Sequence, residues 1–318
     1  MSLAWVIGGG GLLGTALRAA CHAEGMDLYS AQNGLCWDDE TALNLALMAA
    51  VRGFSAAVAD GKPWQIFWAA GIGTMASNAA ELEPETRALA HLLALIAQES
   101  ALRDSTCGVI ALASSAGALY AASTDYVISE LSEVTSSTAY AHAKLAQESL
   151  VHQFSRRCPA VSVVISRITT LYGPGQAAGK RQGLIAHIAR SVLRNRPVQI
   201  FVPFDTIRDY IASADAAQAM LAYVSAVQDA TGTYMHIVAG EQPTTIAEII
   251  STFRRIARRA PLVVTSASPL SKVYLRRVQY RSLQPVDPGR PRTSLLVGIA
   301  QVMEAERRLY IKAARTWG

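Results

Sequence analysis

Tyr140 and Lys144 stand four residues apart in the segment Thr138-Ala139-Tyr140-Ala141-His142-Ala143-Lys144. On a helix that spacing puts a phenol and an amine on one face. A free phenol, with a pKa of about 10, is a poor base near neutrality, but a neighbouring ammonium stabilises the phenolate and brings it toward the working range. The pair therefore suits proton transfer at a substrate hydroxyl, although the same spacing recurs by chance in many helices. Upstream, the apolar run Gly108 to Ala113 reads as a strand ending in Ser114-Ser115. At the carboxyl edge of a parallel sheet a hydroxyl stands over the ligand crevice, where it could bond the reacting oxygen. Twin serines after a strand also serve as ordinary turn or capping residues.

The second chemical signal lies at the start of the chain. The apolar run Leu3 to Ile7 leads into Gly8-Gly9-Gly10-Gly11-Leu12-Leu13-Gly14, and a helical pattern follows from Thr15 to Ala23. Two glycine registers are present, Gly8/Gly11/Gly14 and Gly9/Gly11/Gly14. The second is the GxGxxG of dinucleotide-binding turns, where glycine lets the backbone approach a pyrophosphate seated on the next helix N-terminus. Gly8, Gly11, Leu12, Leu13 and Gly14 are the expected contacts. The second strand, Asp27 to Ala31, runs into Gln32 and Asn33, with neither a carboxylate for the adenosine ribose nor an arginine for a 2′-phosphate. NAD or NADP is the expected cofactor, NAD first, with Gln32 beside the adenosine. Asp38 or Asp39, past a short third strand, could reach the adenine or could start a helix.

These residues need a scaffold that brings strand ends together. After the second strand come an Ala/Leu-rich helix, a fourth strand at Gln65 to Trp68, a long helix near Glu85 to Glu99, the strand Gly108 to Ala113, the helix bearing Tyr140, and a strand at Val161 to Ser166. Alternation of this kind implies an α/β fold with a doubly wound parallel sheet of Rossmann type. Past Gly173-Pro174-Gly175 the pattern loosens. The expected division is a cofactor domain over residues 1–175, completed by about 206–240, with a smaller C-terminal substrate-binding lobe from 176–205 and 241–318.

The bulk numbers agree with an ordered globular chain: 318 residues, 51% hydrophobic and 17% charged. No stretch is long and apolar enough for a membrane span, and the apolar start lacks the flanks of a signal peptide, so a cytoplasmic protein is expected. The four cysteines, Cys21, Cys36, Cys107 and Cys158, show no metal-ligand or disulfide spacing, and no metal is expected. Residues 251–318 hold 14 Lys and Arg against 3 Asp and Glu. A solvated cationic face, a nucleic-acid surface or a lobe binding a diphosphate would each explain that asymmetry. No aromatic interleaving or nucleic-acid module accompanies the arginines, and no nucleic-acid partner is expected.

Taken in order, the parts resemble the extended short-chain dehydrogenases of the nucleotide-sugar epimerase and dehydratase group. The resemblance spans nearly the whole chain: Gly8-x-x-Gly11-x-x-Gly14, Ala69-Ala70-Gly71, Ser114-Ser115, Tyr140-x-x-x-Lys144, Arg167 with Leu171-Tyr172-Gly173-Pro174-Gly175, and Arg208-Asp209-Tyr210-Ile211 with Asp215. It implies that Tyr140 is the general acid/base, Lys144 its pKa modifier and ribose ligand, and Ser115 the hydroxyl partner with Ser114 as fallback. Ala69, Ala70 and Gly71 would line the cofactor. Arg208, helped by Arg281, would bind the diphosphate of a nucleotide-linked sugar. The family's asparagine after the fourth strand has no counterpart near Glu85 to His91, and another is replaced by His236. Its C-terminal Arg/Asp motif is only loosely recognisable in Arg281 to Asp287.

The resemblance also narrows the reaction. Ser115 is followed by Ala116-Gly117-Ala118, without the acidic neighbours that eliminating water requires, which disfavours a 4,6-dehydratase. Cys107 precedes its strand rather than ending it, against a 3,5-epimerase/reductase. What remains is an epimerase acting by hydride transfer at a sugar carbinol, or a reductase of keto-sugars or other carbonyls. A non-catalytic sensor of NAD(P) is the outside alternative. The helix near Glu85 to Glu99 and the one bearing Tyr140 carry apolar positions on several faces, and a homodimer through them is expected.

Overall fold

The computed structural model describes residues 2–32, 34–58, 61–176, 183–266, 278–284 and 292–315. Along the first half run β1 (Leu3–Ile7), α1 (Leu12–Ala23), β2 (Asp27–Tyr29), α2 (Glu40–Ala57), β3 (Trp64–Trp68), α3 (Ala79–Gln98), α4 (Ser100–Arg103), β4 (Gly108–Ser115), α5 (Ala116–Leu119), β5 (Val127–Ile128) and α6 (Ala139–Arg157). The second half holds β6 (Ser162–Ile168), β7 (Thr170–Tyr172), α7 (Leu184–Leu193), β8 (Val198–Ile200), β9 (Ile207–Ala212), α8 (Ser213–Ala226) and β10 (Thr233–Val238). It ends in β11 (Pro243–Thr245), α9 (Ile246–Ala257), β12 (Val263–Thr265), β13 (Gln279–Tyr280) and α10 (Leu295–Arg315).

Strands β1 and β3 are buried at every position, which is why Leu3-Ala4-Trp5-Val6-Ile7 reads as an apolar run rather than an alternation. Both faces of their sheet are covered. Its order is β10-β6-β4-β3-β1-β2, parallel throughout. On one face α2, α3 and α6 enclose Leu47, Phe54, Leu89, Leu92 and Phe154. On the other, α1 and α8 enclose Leu17, Met220 and Val224. The α/β doubly wound reading is confirmed.

One expectation about this sheet is corrected. Between β2 and Asp38 no strand lies among the described residues, so the expected fourth strand is the third, and β2 stops at Tyr29 rather than Ala31. β2, only three residues long, is the sheet edge.

A separate apolar cluster gathers α7, α9 and α10 around Ile188, Phe253 and Ile299. Small sheets join it to the main body: β11-β9-β7, β12-β8 and β13-β5. The amphipathic pattern of α9 begins at a capping box, Thr245 with Glu248, where β11 turns into the helix.

Candidate active site

The chain order of the strands reverses between β1 and β3, since β2 lies beyond β1 and all later strands of that sheet lie beyond β3. Ligand crevices of doubly wound sheets open at that switch point, outside the carboxyl ends. The glycine loop leaves β1 there and Ala69-Ala70-Gly71 leaves β3, and the two loops touch. Gly8 has φ +85°, and a Cβ on it would stand 2.5 Å from the Ala70 nitrogen. Only glycine fits. Gly11 caps α1 without a side-chain bond, which leaves the first helical N–H groups free to face an anion. The cradle thus fits the pyrophosphate of a dinucleotide, with Leu13 and Gly14 buried beneath it. Gln32 and Asp38 are exposed in the segment that follows β2, the edge strand of the sheet. Asp38 lines a cleft of about 220 Å³ with Trp37, Asn44, Pro84 and Arg87.

Tyr140 and Lys144 lie in the first two turns of α6, which Thr138 caps through its hydroxyl. The Lys144 ammonium sits 5.7 Å from the centre of the Tyr140 ring, as the four-residue spacing requires. It is buried and has three partners: Glu85 Oε1 at 3.1 Å, Gln147 Oε1 at 2.9 Å and the Ala113 carbonyl at 3.4 Å. The Gln147 amide also donates to Glu85 Oε1 at 3.0 Å. Burial pulls the Lys144 pKa down, yet the charges of Tyr140 and Glu85 and the Glu85 hydrogen bond outweigh it and hold it above the ordinary lysine value.

Gly71, at φ +151°, abuts that carboxylate, and a Cβ on it would lie 2.7 Å from Glu85 Oε1. Glu85 was read from sequence only as a place lacking an asparagine. The polar residues Lys144, Gln147 and Glu148 at helical spacing, where α6 should bury apolar groups, were the available signal.

The two serines separate. Ser115, half-buried at the end of β4, accepts from the Ala118 N–H at 3.3 Å and caps α5. Ser114 points the other way, as strand alternation demands. It is buried, and its hydroxyl donates to Glu148 Oε1 at 2.6 Å. The expectation that Ser114 touches substrate is therefore corrected: its hydroxyl is committed beneath the crevice. There Arg167 grips Glu148 with Nε at 3.0 Å and one terminal nitrogen at 2.7 Å, while the other terminal nitrogen donates to the Tyr120 hydroxyl at 2.6 Å.

In the Arg208-Asp209-Tyr210-Ile211 segment the residues divide by depth. Asp209 is buried, and its Oδ1 accepts from Thr169 Oγ1 and the Gly240 N–H, each at 2.6 Å. Burial pushes its carboxyl above the usual range. Asp215 likewise receives Thr293 through both hydroxyl and N–H. These acids join segments. Arg208 is half-buried on β9 and donates to the Ile207 carbonyl at 2.7 Å. Tyr280, next to Arg281, belongs to β13, which packs against β9. Arg281 itself is exposed, its backbone bonded to Ile128. Asp287 lies outside the described residues. His236 is buried on β10, stacked 4.0 Å from the Tyr223 ring and 2.7 Å from the Ser166 hydroxyl.

Among the described residues no group of three or more His, Cys, Asp or Glu could hold a metal, and no helix is long and apolar enough to cross a membrane.

A nucleotide-binding sheet carrying a tyrosine–lysine pair at its switch point defines a class of oxidoreductase-like folds. Comparison with known proteins defines the family: residues 4–240 match the NAD dependent epimerase/dehydratase family, and the chain belongs to it. A dTDP-4-dehydro-6-deoxyglucose reductase of Escherichia coli is 28% identical over 120 residues, 38% of this chain and 37% of that protein. The match therefore spans little more than a third of this curated relative. Among solved structures, MoeE5 in complex with UDP-glucose and NAD superposes with a TM-score of 0.78 at 20% identity, covering 98% of this chain and 100% of that one. The UDP-glucose 4-epimerase of Thermus thermophilus, in complex with NAD, gives 0.76 at 20% identity, with 96% and 99% covered. RMD from Pseudomonas aeruginosa, complexed with NADPH, gives 0.75 at 19% identity, with 97% and 100% covered. At such identities these likenesses establish the fold.

Proposed function

We propose that the chain is an NAD(P)-dependent nucleotide-sugar epimerase acting by hydride transfer at a sugar carbinol carbon. The observation that carries the reading is that the Lys144 ammonium lies 5.7 Å from the Tyr140 ring and 3.4 Å from the Ala113 carbonyl near the end of β4, while the loop after β3 packs on Gly8 at one residue and on Glu85, the partner of Lys144, at the next. In this reading Gly8, Gly11, Leu12, Leu13 and Gly14 hold the cofactor pyrophosphate, Ala69, Ala70 and Gly71 line the middle of the cofactor, and Gln32 and Asp38 stand at its adenosine end. The bound nicotinamide would accept and return a hydride. Tyr140 takes the proton of the sugar hydroxyl and gives it back, Lys144 stabilises the phenolate, and Ser115 donates to the same sugar oxygen.

Arg208 on β9 and Arg281, just past β13, bind the diphosphate, and residues 176–205 and 241–318 form the substrate lobe. Solved relatives bound to NAD and UDP-sugars support that substrate class. A reductase of keto-sugars is the second reading, favoured by the reductase relative and by the neighbour complexed with NADPH. A homodimer through α3 and α6 belongs to either reading, as does a cytoplasmic enzyme.

The test denatures the purified protein and identifies released nucleotide by mass, then follows UDP-, GDP- and dTDP-sugars with the intact protein. Retained NAD with interconversion of sugar epimers is the expected result. An empty site with NAD(P)H consumed against keto-sugars selects the reductase. Tyr140→Phe should lower either activity by roughly a hundred- to ten-thousandfold while leaving cofactor binding intact, and retention of a tenth of wild-type activity would sink the assignment.

A further inference from the structure

Lys144 is paired with a carboxylate from outside its own helix. Glu85 reaches it from α3, both side chains are more than nine-tenths buried, and Gln147 bonds to each of them. Such a pair is costly to desolvate, so its presence beside the proton-transferring phenol calls for an account beyond stability. Two further features shape it. Gly71 leaves the space that the Glu85 carboxylate fills, and both bonds to the carboxylate fall on Oε1. The chain thus provides a seat for an anion at the ammonium.

We infer that Glu85 is a positioning residue of the Tyr140–Lys144 pair, holding the ammonium against Ala113 and offsetting part of the positive field that the ammonium exerts at the phenol. The inference deepens the proposed function and rests on its assignment of Tyr140 and Lys144.

The charges around Lys144 decide the sign. Tyr140 and Glu148 face it from α6, and Glu85 from α3. Glu148 is already matched by Arg167 of β6, which also holds Tyr120 beyond the end of α5, and Ser114 of β4 is neutral. Glu85 is therefore the anion that opposes Lys144 directly. Removing a negative charge favours the less protonated form of every group nearby. The proton-transferring pair should then lose its proton at lower pH, by about one pH unit for a charge roughly 10 Å from the phenol at protein-like dielectric.

The experiment reads the phenol without needing substrate. The rise of phenolate absorbance with pH is recorded for the full chain and for Tyr140→Phe, and the difference is the Tyr140 signal. The same difference is then taken in a Glu85→Gln background. Glu85→Gln keeps a hydrogen-bond acceptor for Lys144 but no charge, and its curve should move down by about one pH unit. Glu85→Asp keeps the charge and should stay near wild type. Coincident curves for wild type and Glu85→Gln overturn the inference, and so does an Asp variant that shifts as far as the Gln variant. Should Glu85→Gln fail to fold, Gly71→Ala displaces the carboxylate from Lys144 in a chain that keeps Glu85. A downward shift supports the inference there, and an unmoved curve overturns it. A shifted phenol in a protein that turns over no nucleotide sugar leaves the positioning role standing and sinks the substrate reading instead.

Discussion

Helix α6 carries two buried ion pairs one turn apart, Lys144–Glu85 and Glu148–Arg167, and they are built differently. In the second, both carboxylate oxygens accept from Arg167, Ser114 adds a third bond, and Tyr120 takes the remaining fork of the guanidinium. Its donors and acceptors are closed by α6, β4, β6 and the residue after α5. In the first, Glu85 Oε2 accepts no hydrogen bond among the described residues, and Lys144 stands under Tyr140 with a glycine loop as its other wall. Two ion pairs on the same helix thus differ: one is a closed joint, and the other leaves the Glu85 Oε2 acceptor unfilled among the described residues. A fully satisfied buried network rigidifies its elements, whereas a partly satisfied one keeps capacity for a ligand.

The largest effect that would break this comparison is on the closed pair. Arg167→Met removes the cation and leaves the Glu148 carboxylate buried with only Ser114. The loss of stability should be about 3 to 5 kcal/mol, the usual cost of stranding one partner of a buried pair. Chemical denaturation followed by circular dichroism measures it. The joint reading predicts that Arg167→Met/Glu148→Met recovers part of that loss, because no charge is then stranded. A single variant as stable as wild type would mean that the network is no joint.

Next in size is an effect on ligand alone. Arg208 stands half-buried on β9, and Arg208→Ala should weaken binding of UDP-, GDP- or dTDP-sugars by about ten- to a hundredfold. That range follows from one charge-assisted phosphate contact of roughly 1.5 to 3 kcal/mol. Calorimetric titration against the nucleotide sugars is the measurement, with the cofactor as control. Equal affinity in both proteins would remove the diphosphate from the β9 side of the crevice.

How much of this was legible beforehand depends on whether a residue acts through its neighbours in sequence or in space. The strand–glycine–helix unit, the Tyr140/Lys144 spacing and the serines at the end of β4 are local patterns, and each lies where the pattern placed it. Which serine faces the crevice was not decidable from the doublet, because it turns on strand alternation against Glu148, 34 residues away. The supposed third strand failed for a related reason: strand formation depends on pairing across the sheet, and no segment between β2 and Asp38 pairs among the described residues. Glu85 was invisible as a partner because nothing local couples it to Lys144, which is 59 residues away.

The smallest effect concerns a third buried polar contact, neutral rather than ionic. His236 bonds the Ser166 hydroxyl across β10 and β6 and stacks on Tyr223. Burial pushes its pKa down from 6.5 to about 3, so the folded protein keeps this ring neutral where the unfolded chain would protonate it. The sign follows: below pH 6.5 the unfolded state binds the extra proton, and stability falls with falling pH until about pH 3. From neutrality to about one pH unit below the unfolded value the loss from His236 should be about 1.4 kcal/mol. Denaturation midpoints across that interval measure it, and His236→Asn should flatten the slope by this amount whatever it does to stability at neutral pH. Parallel slopes in the two proteins would show that the ring is protonated in the folded state, held by an anion near β10 such as Glu130, whose Oε1 accepts from the Ile237 N–H at 2.8 Å.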